Sequence, residues 1–544
     1  MTKCLTFVYI VIYITSMAYL VTRRVGKYLY RYEVESYWDR ARKQPRQRVL
    51  RFLGRVDKEG RVVVRPAARL DAISGSLPVG ALALFYAVAC ELDMVSHIKE
   101  VLDVDHDSAV HVLCLVLNQI GARRSLSDLP AWVARSPIPR WERLNMGRLN
   151  RESFERALHR LCHSTPDGGL EDLGLKLQEE MTKVWRGPTR EPAQFYYDVT
   201  RQLYYGNDCP YAEPGYFPGG TSKNVLGFGL VTSRHRQHPV LCRAIRGSRS
   251  DTLTVQDIVN HLKAWGFKRL TLILDRGMIS RENVEFIVKS GFDLVGLVPA
   301  THKEAWDYIT RWPGSELERP QYLVERPSGA KVYTRAWRAP LLGRKSMRVA
   351  LIVDPMRATR EQLERDGLIH ALEKTSNPKR LRELREDLGA LAIPAPGRRG
   401  FALDAAGAKE ERLGDGRFLM FSTDETLGAE QMFRTYFQRD EIEKAFQTIK
   451  GELSLGPIRY RRRDRIDGYT TVVYLAYLLW SRAQERIREK YPSLTVSKAV
   501  SLVEDVHLVR VQSGKQTSEW TTRRSTEQEK LLKLVGATRF LHSG

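Results

Sequence analysis

Residues 269–283 read RLTLILDRGMISREN. The run from Leu270 to Leu274 offers no charged face, so it is expected as a buried strand. Asp275 closes it, followed by Arg276 and Gly277. That places a carboxylate at the carboxyl end of a central strand, where open α/β sheets keep their sites. Upstream, AQFYYDVT (193–200), NVLGFGLVTS (224–233) and HPVLCRAI (238–245) read as three successive strands. DTLTVQDIVNHLKAWG (251–266) reads as a helix capped by Ser250 or Asp251. Downstream, SRENVEFIVKSG (280–291) is a second helix and FDLVGLVPA (292–300) a fifth strand.

Three strands, a helix, a strand, a helix and a strand is the chain order of a ribonuclease-H-like core, so the fold class expected is α/β with a mixed-sheet catalytic core. The first part of that core is 191–300. Residues 301–415 interrupt it as a strand-rich insertion domain, with short strands at AKVYTRAW and SMRVALIVD and a charged helix around NPKRLRELREDLG. The core resumes over 416–485 with a returning strand, GRFLMFSTD, and one long helix, GAEQMFRTYFQRDEIEKAFQTIKGEL (428–453). Residues 17–66 alternate aromatic and charged side chains, hairpin-like, with turn signals at Gly54 and Gly60. Residues 67–190 carry helical periodicity, and 486–544 read as a basic helical tail.

The chain has 544 residues, with 87 Lys and Arg against 64 Asp and Glu, a net charge of +23. Such an excess calls for a polyanionic partner, while 43% hydrophobic residues exclude a disordered basic tail. The charge is concentrated: between Arg23 and Arg69 there are fifteen basic residues against five acidic ones, and 459–465 read RYRRRDR. The stretch from Arg42 to Arg69 is therefore expected to touch phosphates, and 17–66 is read as a basic β-rich DNA-binding module. The six cysteines never form a C-x-x-C pair, so no zinc or disulfide framework is expected and a reducing compartment fits.

Residues 1–16 begin an apolar leader. From Cys4 to Val21 no charge occurs, and Arg23, Arg24 and Lys27 follow. Three readings stand: a membrane anchor with a cytoplasmic basic flank, a buried strand, or a true start at Met17. The localisation expected is cytoplasmic and nucleoid-associated, with the membrane reading beside it.

Asp198 sits within FYYDVT, whose neighbours demand burial, so its carboxylate needs a partner. On adjacent strands Asp198 and Asp275 can share a divalent cation. In the late helix, Tyr436, Arg439, Glu443 and Lys450 fall within one stripe at about 100° per residue. This face would present a phenol, a guanidinium, a carboxylate and an ammonium together, a set suited to phosphodiester chemistry. The spacing Y-x2-R-x3-E-x6-K should arise by chance in roughly one chain of this length in a hundred, so it is informative.

With these residues the chain resembles DDE-class insertion-sequence transposases of the branch recognised by a Y-R-E-K signature, over about 18 to 480. Asp198 matches the first aspartate, Asp275 the second with its D-R-G-like turn and downstream Asn283, and Glu443 the glutamate. The separations of 77 and 168 residues fit as well. The resemblance implies a catalytic and metal-binding triad of Asp198, Asp275 and Glu443 holding two divalent cations, Mg²⁺ or Mn²⁺. Asp198 would bridge both. It implies DNA contacts from Tyr436, Arg439 and Lys450, and a tryptophan among Trp306, Trp312 and Trp337 stacking on a displaced base. It also implies strand cleavage and strand transfer at the terminal inverted repeats, target DNA as second partner, and a homodimer assembled on two ends. A nuclease of the same core without strand transfer, and a catalytically inactive DNA-binding derivative, are the competing readings.

Overall fold

The computed structural model describes residues 18–39, 43–57, 60, 62–63, 72–121, 123–165, 167, 169–187, 193–215, 223–299, 302–326, 329–395, 400–513 and 516–541. The leader 1–16, Arg42, Arg65 and Arg69 lie outside the described residues. The chain divides into two compact units, one of Met1–Leu77, His507–Arg523 and His542–Gly544, the other of Pro78–Val506 and Arg524–Leu541.

The second unit is built on a ten-stranded sheet. Its strands are β1 (Ala193–Leu203), β2 (Glu213–Gly215), β3 (Lys223–Ser233), β4 (Pro239–Arg246), β5 (Leu270–Leu274), β6 (Asp293–Leu297), β7 (Leu323–Glu325), β8 (Lys331–Leu341), β9 (Arg344–Val353) and β10 (Arg417–Ser422). They lie in the order β4-β3-β1-β5-β6-β10-β9-β8-β7, with β2 paired to β3. β1, β5 and β6 are parallel, and the remaining pairs are antiparallel. The five strands read from 193–300 thus form the ribonuclease-H-like half. All five side chains of Leu270–Leu274 are buried, as the uninterrupted apolar run requires.

The inserted segment differs from the expectation of a separate domain. β7, β8 and β9 continue the core sheet past β10, so residues 323–353 are structurally part of it. Alternation identifies a strand but not its neighbour, and β9 found β10 because both carry apolar side chains at successive positions. Helices Pro355–Lys374 and Pro378–Leu388 pack through a small cluster of their own that includes Leu372, Leu384, Leu388 and Leu391. The chain returns to β10 through Gly416, at φ +65°, where a Cβ would lie 2.4 Å from the Asp354 carbonyl oxygen. Only glycine fits there.

Edge strand β4 is shielded by side chains. Helix Leu173–Arg186 lays Gln178 against Cys242, accepting from its N–H at 2.8 Å and donating to its carbonyl at 3.2 Å. Thr182 donates to the Val240 carbonyl and Trp185 Nε1 to that of Pro239. These bonds satisfy an open edge as a further strand would. Helix Arg463–Lys490, buried over most of its length, packs beside them. Among the described residues no single helix is long and apolar enough to cross a membrane. Gly80–Glu91 and Met94–Leu102 together pass by length and composition, but are bent by 60°.

In the first unit, Ala18–Val25, Tyr28–Asp39, Gln44–Val56 and Val62–Val63 form a four-stranded antiparallel sheet. Gly54 is not a turn: it lies inside a strand at φ +129°, beside a register shift. Glycine serves a bulge as readily as a turn, which the pattern alone does not separate. The C-terminal segment also differs from the helical tail expected. His507–Ser513 and Gln516–Thr521 form a hairpin that pairs with Ala72–Pro78 in a three-stranded sheet.

Candidate active site

Parallel β1 and β5 are in register Ala193 to Leu270 and onward to Tyr197 with Leu274. The offset is 77 residues, the separation of Asp198 from Asp275, so the next register position sets the two carboxylates side by side. Side chains alternate faces along β1. Tyr197 donates to Thr254 Oγ1 at 2.7 Å, in the helix α1 (Asp251–Ala264) on one face. Tyr196 donates to the Thr435 carbonyl at 3.1 Å on the other. Asp198 shares the Tyr196 face and therefore points towards the segment carrying the Y-R-E-K residues. Ser250 is the residue before α1 but makes no capping bond with its side chain, and Asp251 is engaged by Arg201 instead.

Asp275 is held by its turn. Its carboxylate accepts from the Arg276 N–H at 2.7 Å, and helix α2 (Arg281–Lys289) starts beyond at Ser280, which caps Asn283. Asn283, 2% exposed, donates to the Thr252 and Met278 carbonyls. It ties the Asp275 turn to the start of α1, which gives the downstream asparagine a positioning role.

The expected single long helix is two helices, α3 (Ala429–Phe437) and α4 (Asp440–Lys450), with Gln438 and Arg439 between them. No Gly or Pro marks the break, so the pattern did not disclose it. Tyr436 therefore lies on α3, Glu443 and Lys450 on α4, and Arg439 at the joint. From there Arg439 reaches both acids: Nη1 stands 2.9 Å from Asp275 Oδ1 and Nη2 3.2 Å from Glu443 Oε1. Burial opposes its charge, but Tyr436, Asp275, Asp198 and Glu443 together hold the guanidinium above its usual range. The bridging role of Arg439 was not legible from a helical stripe, because it needs an acid 164 positions away in sequence.

Asp198 accepts from the Val199 N–H at 2.9 Å and has no ion-pair partner among the described residues. Burial pushes its carboxyl up to about 6; Arg439 opposes this and neighbouring Asp275 adds to it. Lys450 feels Asp198 too, although partial burial holds its ammonium below the usual range. Tyr436 is buried, edge-on to Phe437, and burial raises its phenol. The structure thus brings Asp198, Asp275, Arg439 and Glu443 into one electrostatic group, with Tyr436 and Lys450 at its margins.

Three carboxylates form a donor set of hard oxygens, and Asp198, which has no ion-pair partner among the described residues, calls for further positive charge, so the residues fit a hard divalent cation. Among the described residues no three ligand-type side chains already converge on one point. The Arg439 guanidinium bridges Asp275 and Glu443 instead. Replacing Arg439 by alanine is accordingly expected to lower metal-free stability by about 1–2 kcal/mol. Mg²⁺ should then raise the melting temperature more in the variant than in the wild type. Equal Mg²⁺ shifts in calorimetry would contradict this role for Arg439.

Trp312 and Trp337 pack on each other at 4.6 Å, with Arg335 over Trp312. Trp306 lies against Gly414 and lines a 450 Å³ cavity together with Arg276. All three tryptophans are half-buried.

A family profile described as transposase DDE domain matches residues 198–479, a span that includes all six of these site residues. Among solved structures, one titled as the cryo-EM structure of a piggyBac transposase synaptic complex with hairpin DNA is similar at 11% identity. The match covers 85% of this chain and 80% of that one, with a TM-score of 0.35. No curated protein matches.

Proposed function

The chain belongs to the transposase DDE domain family, and from that premise we propose that it is the transposase of an insertion sequence of the Y-R-E-K branch. It binds the element's terminal inverted repeats and catalyses strand cleavage and strand transfer in cut-and-paste transposition. The observation that carries the reading is that one guanidinium, Arg439, pairs with both Asp275 and Glu443 from separate elements and feels the charge of Asp198.

Asp198, Asp275 and Glu443 would hold two divalent cations, Mg²⁺ or Mn²⁺, which when bound supply Lewis acidity to the scissile phosphodiester. Arg439, with two nitrogens already presented to oxygen atoms, exchanges a carboxylate for a phosphate at the same fork geometry. Lys450, which feels the charge of Asp198, would clamp a second phosphate. The raised Tyr436 phenol stays protonated and donates to the end nucleotide. In the first step a water oxygen bonds to phosphorus, the bond to the 3′ oxygen breaks, and that oxygen leaves as a hydroxyl. In the second that 3′ oxygen, giving up its proton, bonds to the phosphorus of a target phosphodiester, whose bond to its own 3′ oxygen breaks, so that the displaced target strand leaves as a protonated 3′ hydroxyl. No tyrosine need become covalently attached. The basic β-rich module contributes phosphate contacts, and two chains act as a homodimer on two paired ends. Location with the nucleoid in the cytoplasm follows from DNA as substrate.

The test is incubation of purified protein with duplex carrying the DNA that flanks its reading frame, together with a supercoiled target and Mg²⁺. The transposase reading expects 3′-hydroxyl ends and target-joined products. Nicked ends that never join target would favour a ribonuclease-H-like nuclease, and binding without nicking an inactive DNA-binding derivative.

A further inference from the structure

Beyond the site, a second concentration of charge stands where the helical region meets the loop following α4. An open cavity of 390 Å³ is lined by Arg123, Arg124, Arg151, Arg459 and Arg465, with Glu155 as the one carboxylate of its lining. Five guanidinium groups around one carboxylate repel one another unless an anion enters between them.

Arg124 lies 5.0 Å over the Trp132 ring, and of the other arginines some build the wall while Arg459 is left to bind. Arg123 donates from Nη1 to the Ser454, Leu455 and Pro457 carbonyls and lies 4.8 Å over the Tyr469 ring. Gln119 reinforces the same loop at the Leu453 carbonyl. Arg465 donates to the Glu155 carbonyl, and Arg151 pairs with the Glu155 carboxylate at 2.7 Å. The run RYRRRDR is likewise partitioned. Arg462 pairs with Asp464, and Arg463 is engaged by Tyr211 and Asp467. Arg459 is exposed and, among the described residues, has neither hydrogen-bond nor ion-pair partner.

We propose that this groove holds the phosphodiester backbone of duplex DNA, with Arg459 as its free cation and Arg123 and Arg465 fixing its wall. The guanidinium groups of Arg123 and Arg465, each held through Nη1, are placed before binding and lose little side-chain freedom on it, while Arg459 is left to reach the phosphates. The loop that Arg123 pins begins directly after Lys450, so the groove continues the chain away from the Glu443 helix. The inference rests on the DNA reading above and adds the helical region's arginines to the DNA path.

The experiment measures anisotropy of an end-labelled, random-sequence duplex across a salt series, for wild type, Arg459→Gln, Arg151→Gln with Arg459→Gln, and Arg382→Gln. Arg382 is an exposed arginine on the helix Pro378–Leu388 and controls for net charge alone. Removing one arginine–phosphate pair lowers the slope of log K against log salt by about 0.9. Arg459→Gln should lower it by about one, with several-fold weaker binding and an unchanged melting temperature, and the double variant should lower it further. Arg382→Gln should match wild type. Wild-type slopes and affinities in both groove variants would overturn the groove while leaving the transposase reading standing. A wild-type protein that fails to bind duplex would overturn both.

Discussion

Asp198→Asn is expected to reduce Mg²⁺-dependent strand cleavage about 1,000-fold or more while making the metal-free protein more stable. Both effects come from one half-buried carboxylate. Asp198 is held at about 6 mainly by desolvation, against about 3.9 in an unfolded chain. A carboxyl whose pKa rises on folding binds its proton more tightly in the native state. The native state is therefore penalised as pH climbs through about 4 to 6, and the full penalty applies above that. A difference of about two in pKa corresponds to about 3 kcal/mol at neutral pH, an upper bound that the half-buried position reduces. Asparagine keeps an oxygen for the Val199 N–H and carries no charge, so that cost vanishes. Asp467 is also held at about 6 by burial, so the informative quantity is the difference between wild type and variant. Their melting temperatures should converge near pH 4 and separate by several degrees at pH 7 without metal. A variant less stable than wild type at pH 7 would show that Asp198 is structurally satisfied rather than held for a cation.

Glu443→Gln separates chemistry from binding more cleanly, because Glu443 is half-exposed and its partner is Arg439 alone among the described residues. The change removes a negative oxygen donor from the triad and leaves the size of the side chain untouched. Cleavage should fall about 100- to 10,000-fold, since a hard cation site loses a charged ligand. Duplex binding should be retained or slightly tightened, because one negative charge near the DNA path is gone. Thermal stability should change little, because Glu443 itself is half-exposed and Arg439 keeps its pair with Asp275.

Much of this arrangement is legible in the sequence, for reasons that differ by element. The apolar run Leu270–Leu274 and the three strands before it are visible because their side chains must be apolar at every position or at alternate ones. The two aspartates are visible because each stands in or at the end of an apolar strand, and the structure adds that their 77-residue separation is also the register of β1 on β5. What stays hidden is pairing between segments remote in sequence. Nothing in RKSMRVALIV names β10 as its neighbour, and the polar strand QTSEWT looks like tail until it meets His507–Ser513. The break at Gln438 and Arg439 is hidden for a further reason. Both residues keep right-handed helical angles, so no side chain of special conformational preference marks it. Yet that break gives Arg439 its reach to Asp275, and with it the electrostatic centre of the site. Asn283, by contrast, was visible as a letter of the motif, and the structure supplies its reason: two backbone carbonyls on different segments that only a short amide can join.

Whether the three acids around Arg439 cut DNA is decided most directly by following nicking of an end-labelled duplex that carries the DNA flanking the reading frame. Wild type and Glu443→Gln are compared with Mg²⁺ and saturating protein, at equal occupancy. Wild type should yield nicked 3′-hydroxyl product, and the variant should bind with cleavage reduced at least about 100-fold. Nicking by Glu443→Gln at the wild-type rate would contradict a catalytic triad of Asp198, Asp275 and Glu443.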